Sequence, residues 1–320
     1  MTTNQTTKVP AYLNYQKRFT SYKWYKPLLA TLVAIGLFIG FSIVLSVIGD
    51  VIATSQGYDL QKLILGGYDT LDAYTPLGAL MSLGSVAIML PAVLLGNKII
   101  KARSVSSVSS SRGGFDFAVF FKCFAAALVL IALPLTIINL FTSSHTGAIR
   151  FTVFGFILCT ILVPLQCVAE EYVFRGQLMT MFGSWIKFPI IPIILQTVFF
   201  AIAHPYNVIG VISVAVMGLI LGICAYITNG LEASCALHII NNMIAFYFTG
   251  FGFSGISSQV QIGDLIADII ICGLYLAFII FADKKLGWFN RVKKDDAAEF
   301  NAKIAAKQQA KMVKRALAYH

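Results

Sequence analysis

The chain has 320 residues, 58% of them hydrophobic and 12% charged, with a mean hydropathy of +0.80 and a formal net charge of +10. A water-soluble domain normally carries about 25% charged residues, so a globular protein with a fully solvated surface is excluded. The positive charge collects at the two ends and in one loop, a pattern that sets the orientation of a membrane protein better than it serves nucleic-acid binding.

Residues 1–26 are polar and basic, with Lys17, Arg18, Lys23 and Lys26 beside Tyr22, Trp24 and Tyr25, as expected of a cytoplasmic segment ending in an aromatic belt. A bilayer core about 30 Å thick needs roughly 20 apolar residues per helix, and the first such run extends from about Leu28 to Ile48. No small-residue cleavage pattern follows it, so it reads as a span and not as a removed signal. The next loop carries Asp50, Asp59, Asp69 and Asp72 against Lys62 and is expected outside. A second span covers roughly Leu77 to Leu95, and the loop beyond it returns Lys98, Lys101, Arg103 and Arg112 to the cytoplasm.

Spans three to five are expected near Phe117–Phe141, Phe151–Val168 and Pro189–Ala203, with the charged stretch from Glu170 to Gly176 between the last two. Three more follow near Val208–Ile227, Ala233–Phe248 and Leu265–Ala282. The fold class is therefore an all-α polytopic membrane protein of about eight transmembrane helices; the even number puts both termini on the cytoplasmic side. Strand-type alternation, which a transmembrane barrel needs, is missing. The expected organisation is a cytoplasmic segment (1–26), a transmembrane helical domain (27–283) and a basic cytoplasmic tail (284–320). The tail holds Lys284, Lys285, Arg291, Lys293, Lys294, Lys303, Lys307, Lys311, Lys314 and Arg315. Such clusters are drawn to anionic lipid head groups at about 1 kcal/mol per charge, and no nucleic-acid motif competes with that reading. The six cysteines show no CxxC spacing and read as small buried residues.

Ionisable side chains in hydrocarbon cost at least ~2.5 kcal/mol each on insertion scales, so those present call for an explanation. Glu171 and Arg175 are four apart and can pair on one helix face, which leaves Glu170 pointing about 100° away. Phe200 and His204 share a face, as do His238 and Asn242. Taken singly these have plain structural readings: an interfacial ion pair, a packing histidine, an asparagine joining helices. Together they bring an acid, two imidazoles and an amide from neighbouring spans, a set suited to water-mediated peptide hydrolysis. Glu170 would take a proton from water that His204 orients, while Asn242 and His238 donate to the oxygen on which charge develops.

The ordered set of EExxxR (Glu170 to Arg175), FxxxH (Phe200 to His204) and HxxxN (His238 to Asn242) resembles the CPBP family of intramembrane proteases. That family includes the type II CAAX prenyl endopeptidases and the Abi or bacteriocin-processing proteins. The resemblance covers roughly residues 165 to 250. It implies an eight-helix fold around an intramembrane cavity open to the cytoplasm, and an endopeptidase cutting a peptide or membrane-protein substrate without a covalent intermediate. Glu170 is then the base, His204 its helper, His238 with Asn242 the oxyanion site, and Glu171, Arg175 and Phe200 supporting residues. No cofactor or metal is expected, although His204, His238 and a glutamate would make a three-ligand zinc site; HExxH is missing. The competing readings are a non-catalytic bacteriocin-immunity factor or membrane scaffold of the same shape, and a transporter, which the lack of an internal repeat disfavours. The expected location is a bacterial plasma membrane.

Overall fold

Helix starts coincide with residues able to satisfy the first free backbone amides. A computed structural model describes residues 9–68, 71–142, 147–253 and 260–318; Asp69, expected in the outer loop, lies outside them. Helix α1 (Lys26–Ser55) has Pro27 in its first turn, and the short α2 (Leu60–Gly66) is capped by Asp59. Helix α3 (Pro76–Ile100) follows Thr75, whose hydroxyl accepts from the Gly78 amide at 3.2 Å. Asp116 caps α4 (Phe117–Phe141) through the Ala118 amide at 3.0 Å, and Thr152 caps α5 (Val153–Trp185) through Gly155 at 3.0 Å. Then come α6 (Ile190–Ile202), α7 (Val208–Thr228) capped by Asn207, and α8 (Glu232–Gly250). Gln261 and Asp264 form a reciprocal capping box at the start of α9 (Ile262–Leu286), and Asp295 caps α10 (Asp296–Leu317). Among the described residues no strand forms beyond one isolated pairing of Ser110 with Gly230.

Among the described residues six helices, α1, α3, α4, α5, α7 and α9, are long and apolar enough to cross a bilayer. Their large apolar side chains face outward, as on α1 at Leu32, Ile39, Ile43 and Val47, all exposed. That is the surface of a protein solvated by lipid. The other two expected spans are present as helices that fall outside this set. α6 has 13 residues, about 20 Å at 1.5 Å per residue, too short to cross alone. α8 has 19 residues and carries Glu232, His238, Asn241 and Asn242.

The fourth span differs from expectation in a way that matters for the site. Glu170 and Glu171 do not end it: α5 runs on for 33 residues to Trp185. The turns Tyr172–Met179 are π-helical, a widened geometry frequent at functional sites. The charged stretch stays helical because Glu171 and Arg175 pair with each other inside the bundle.

Close backbone approaches fix the helices around it. A Cβ on Gly155 of α5 would lie 1.8 Å from the Tyr74 carbonyl oxygen, and one on Gly96 of α3 would lie 2.7 Å from the Ala30 carbonyl oxygen of α1. Only glycine permits either contact.

One end of the bundle is held by polar contacts. Arg112 pairs with Glu232 at 2.7 Å, Glu232 also accepts from the Asp116 amide at 2.8 Å, and Lys293 pairs with Asp116 at 3.0 Å. The starts of α4 and α8 and the ends of α7 and α9 are thereby tied together. Arg103, buried, donates to Asn97, Thr180, Gln177 and the Gly176 carbonyl. The N-terminal segment docks at this end too: Arg18 pairs with Asp295 at 2.8 Å, Thr20 and Asn301 are hydrogen-bonded, and Phe19 packs edge-on against Phe300. The basic loop, the basic tail and the N-terminal segment therefore share one end. The tail from Asp296 to Leu317 is a helix whose Met312, Val313 and Leu317 are exposed.

Candidate active site

Three helices converge near the middle of α5. On α5, Glu171 is fully buried and accepts from Arg175 at 3.0 Å, the pair expected from their spacing. It also accepts from Nδ1 of His238 on α8 at 2.8 Å. Because a carboxylate can only accept here, Nδ1 of His238 carries the proton and Nε2 is turned away from Glu171. Arg175 further donates to the Gly218 carbonyl at 3.1 Å and lies 4.3 Å over the Phe200 ring. Glu171 and Arg175 thus form a buried frame that sets the His238 ring.

Glu170, one residue earlier, is 8% exposed, and its Oε2 is buried without a hydrogen-bond partner. That oxygen lies 3.7 Å from Nε2 of His238 and 4.0 Å from Nε2 of His204. His204 follows α6, with its Nδ1 2.7 Å from the Phe200 carbonyl. A carbonyl accepts, so Nδ1 carries a proton and Nε2 faces Glu170. Phe200 is the shared support, its ring tilted against that of His204 at 4.7 Å and meeting His238 edge-on at 5.9 Å.

Both histidines line a cavity of about 440 Å³ together with Asn242, whose Oδ1 accepts from Asn241 at 3.3 Å. The structure therefore brings Glu170, His204 and His238 to one point and puts Asn242 on the same cavity wall. No hydrogen bond joins Asn242 to the other three among the described residues.

Several cavity residues carried no signal in the sequence. Tyr206 stacks on His204 with ring centroids 6.1 Å apart, in a turn where aromatic residues are unremarkable. Asp268 is half-buried on the cavity wall and accepts from the Ser213 hydroxyl. Spacing showed only that Asp264 and Asp268 share a helix face, not that the face is turned inward.

The cavity lies in the half of the bundle remote from the basic end, with Val260 and Asp264 near its rim, late α4 and α8 on one side and early α7 on another. The resemblance implies a cavity open to the cytoplasm, whereas basic termini in the cytoplasm would turn this rim to the opposite side. The two expectations do not fit together, because the motifs fix which residues meet and not which helix ends carry the positive charge.

No group of three His, Cys, Asp or Glu side chains is placed to hold a metal ion among the described residues. Glu171 is occupied by Arg175 and His238, and the separations from Glu170 are wider than the ~3.4 Å between ligands of one tetrahedral zinc. Cys167 is buried against the His238 carbonyl at 3.7 Å and serves packing.

The six long apolar helices and their outward-facing apolar side chains define the chain as an integral membrane protein. Residues 151–244 match the family model described as Rce1-like, type II CAAX prenyl endopeptidase. The matched stretch holds all three motifs, from Glu170 to Asn242, and supports a CAAX-type protease in general terms. Comparison with curated proteins and with solved structures gives no significant match.

Proposed function

We propose that the chain is an intramembrane endopeptidase in which Glu170 activates a water molecule, with no metal and no covalent intermediate. The observation that carries the reading is the buried Oε2 of Glu170, unpartnered and 3.7 and 4.0 Å from two imidazole Nε2 atoms on a cavity wall. Gaps of that size suit a water held between the carboxylate and His204. In the reaction the water oxygen bonds to the peptide carbonyl carbon while its proton passes to Glu170. The C–N bond then breaks as protonated Glu170 returns the proton to the leaving amine.

Charge on the carbonyl oxygen is met by Asn242 and His238. Donation from Nε2 of His238 requires the imidazolium form. Glu170, Glu171 and Arg175 sum to one negative charge, which an imidazolium at His238 cancels. Basic residues mark the cytoplasmic end by the positive-inside rule, so both termini and α10 belong there. The basic face of α10 then contacts anionic head groups.

The test is cleavage of a membrane-peptide library by purified protein in nanodiscs. Glu170→Gln, His204→Ala and His238→Ala should each lower kcat/KM by at least about 100-fold. A chelator should leave the wild-type rate unchanged. Cleavage that survives all three substitutions overturns the reading, and a rate lost with chelator and restored by zinc overturns its metal-free form.

A further inference from the structure

The cavity that holds the two histidines has a second polar wall, which the hydrolytic reading leaves without a task. Asp264 and Asp268 of α9 both line it and stand four residues apart on one helix face. Asp264 accepts from the Gln261 amide at 3.0 Å and Asp268 from the Ser213 hydroxyl. Neither has an ion-pair partner among the described residues, and the cavity lining contains no Lys or Arg. The remaining lining is apolar or neutral, as at Val214, Met217, Ile244 and Phe248. Asp264 is exposed at the rim, while Asp268 is half-buried, and a carboxylate there without a counter-charge is costly to keep.

A second and independent feature shows that the cavity is built to take a ligand. His238, on a side chain 3% exposed, lines the cavity, and the Oε2 of Glu170, 3.7 Å from its Nε2, is buried without a hydrogen-bond partner. Reactive groups at one wall and uncompensated negative charge at the other share a space of about 440 Å³, large enough for a few residues of extended peptide.

Resting on the hydrolytic reading above, we propose that Asp264 and Asp268 form a specificity wall that selects substrates with a lysine or arginine side chain close to the scissile bond. The ammonium or guanidinium supplies the counter-charge that α9 lacks, through charge-assisted hydrogen bonds. The selected chemistry is a cationic side chain on a peptide lying between α7, α8 and α9.

The experiment uses the full chain in nanodiscs and fluorogenic membrane peptides that differ at single positions flanking the cleaved bond, carrying Lys, Arg, Gln or Glu, each with a blocked N-terminus. At one position kcat/KM should be at least about tenfold higher for Lys or Arg than for Gln, a modest share of what a charge-assisted hydrogen bond can supply. Asp268→Asn with Asp264→Asn should remove that preference while cleavage of the Gln peptide persists. A photo-crosslinking version of the Lys and Gln peptides, bound to Glu170→Gln protein, reads the same preference without turnover.

Equal rates for Lys and Gln at every position, with cleavage still dependent on Glu170, overturn the specificity wall and leave the hydrolytic reading standing. Appearance of the preference only with added calcium also overturns it. Cleavage independent of Glu170 instead sinks the hydrolytic reading.

Discussion

Glu170 and Glu171 are chemically identical neighbours with opposite surroundings. Glu171 Oε1 accepts from both Arg175 and His238 while its Oε2 is unpartnered, and Glu170 Oε2 is unpartnered with no such hydrogen bonds beside it among the described residues. Glu171→Gln should therefore lower stability by ~3–5 kcal/mol, because it leaves the Arg175 guanidinium buried and unpaired. Glu170→Gln should cost under about 1 kcal/mol, since few native hydrogen bonds are lost. Thermal unfolding in detergent separates the two, and equal losses would show that the residues do not divide framing from chemistry. This division was half legible: the i,i+4 spacing paired Glu171 with Arg175 and freed Glu170. It could not show that His238, 67 residues away, completes the frame, because that contact depends on how α5 packs against α8.

At the level of elements, packing geometry decides where the site residues fall. Gly155 lets α5 lie against the Tyr74 backbone, with a Cβ there only 1.8 Å from its oxygen, while Gly36 of α1 has nothing within 4 Å. Gly155→Ala should cost ~1–3 kcal/mol through overpacking. Gly36→Ala should be neutral or stabilising by up to ~1 kcal/mol through helix propensity. Matching melting temperatures for the two variants would contradict the close approach. Apolar runs and capping residues made most helices readable; α4, for instance, spans Phe117–Phe141 as expected. The stretch from Glu170 to Gly176 was misread as an interruption because charge marks a break only when it is unpaired. Here pairing within the bundle and π-helical turns carry α5 through to Trp185.

On the scale of the whole molecule, the basic segments gather at one end, where the N-terminal segment is clasped to α10. Burial raises the Asp295 carboxyl, but amide donation from Ala298 and the Arg18 guanidinium outweigh it and hold the group below the usual carboxylate range. Asp116 behaves alike: burial opposes, while Lys293 and the first amides of α4 win and lower it. Groups depressed in this way contribute stability above the unfolded Asp value of about 3.9, and that contribution is lost as pH falls through the folded value. Hydrogen exchange at residues 297–301 should quicken on acidification below about pH 4, and Asp295→Asn should show the quickened exchange already at neutral pH. Protection insensitive to both would contradict the clasp. Positive-inside counting anticipated the charge gathering; the clasp itself joins residues 277 apart and left no trace in local pattern.

The most direct test of the hydrolytic account is a single-turnover cleavage in ¹⁸O-labelled water, with wild type and Glu170→Gln compared by mass spectrometry. The account predicts one labelled oxygen on the new peptide carboxyl, no label and no acyl group on the protein, and at least about a 100-fold slower reaction for Glu170→Gln. An undiminished rate in that variant, or a peptide fragment trapped on a protein side chain, would contradict it.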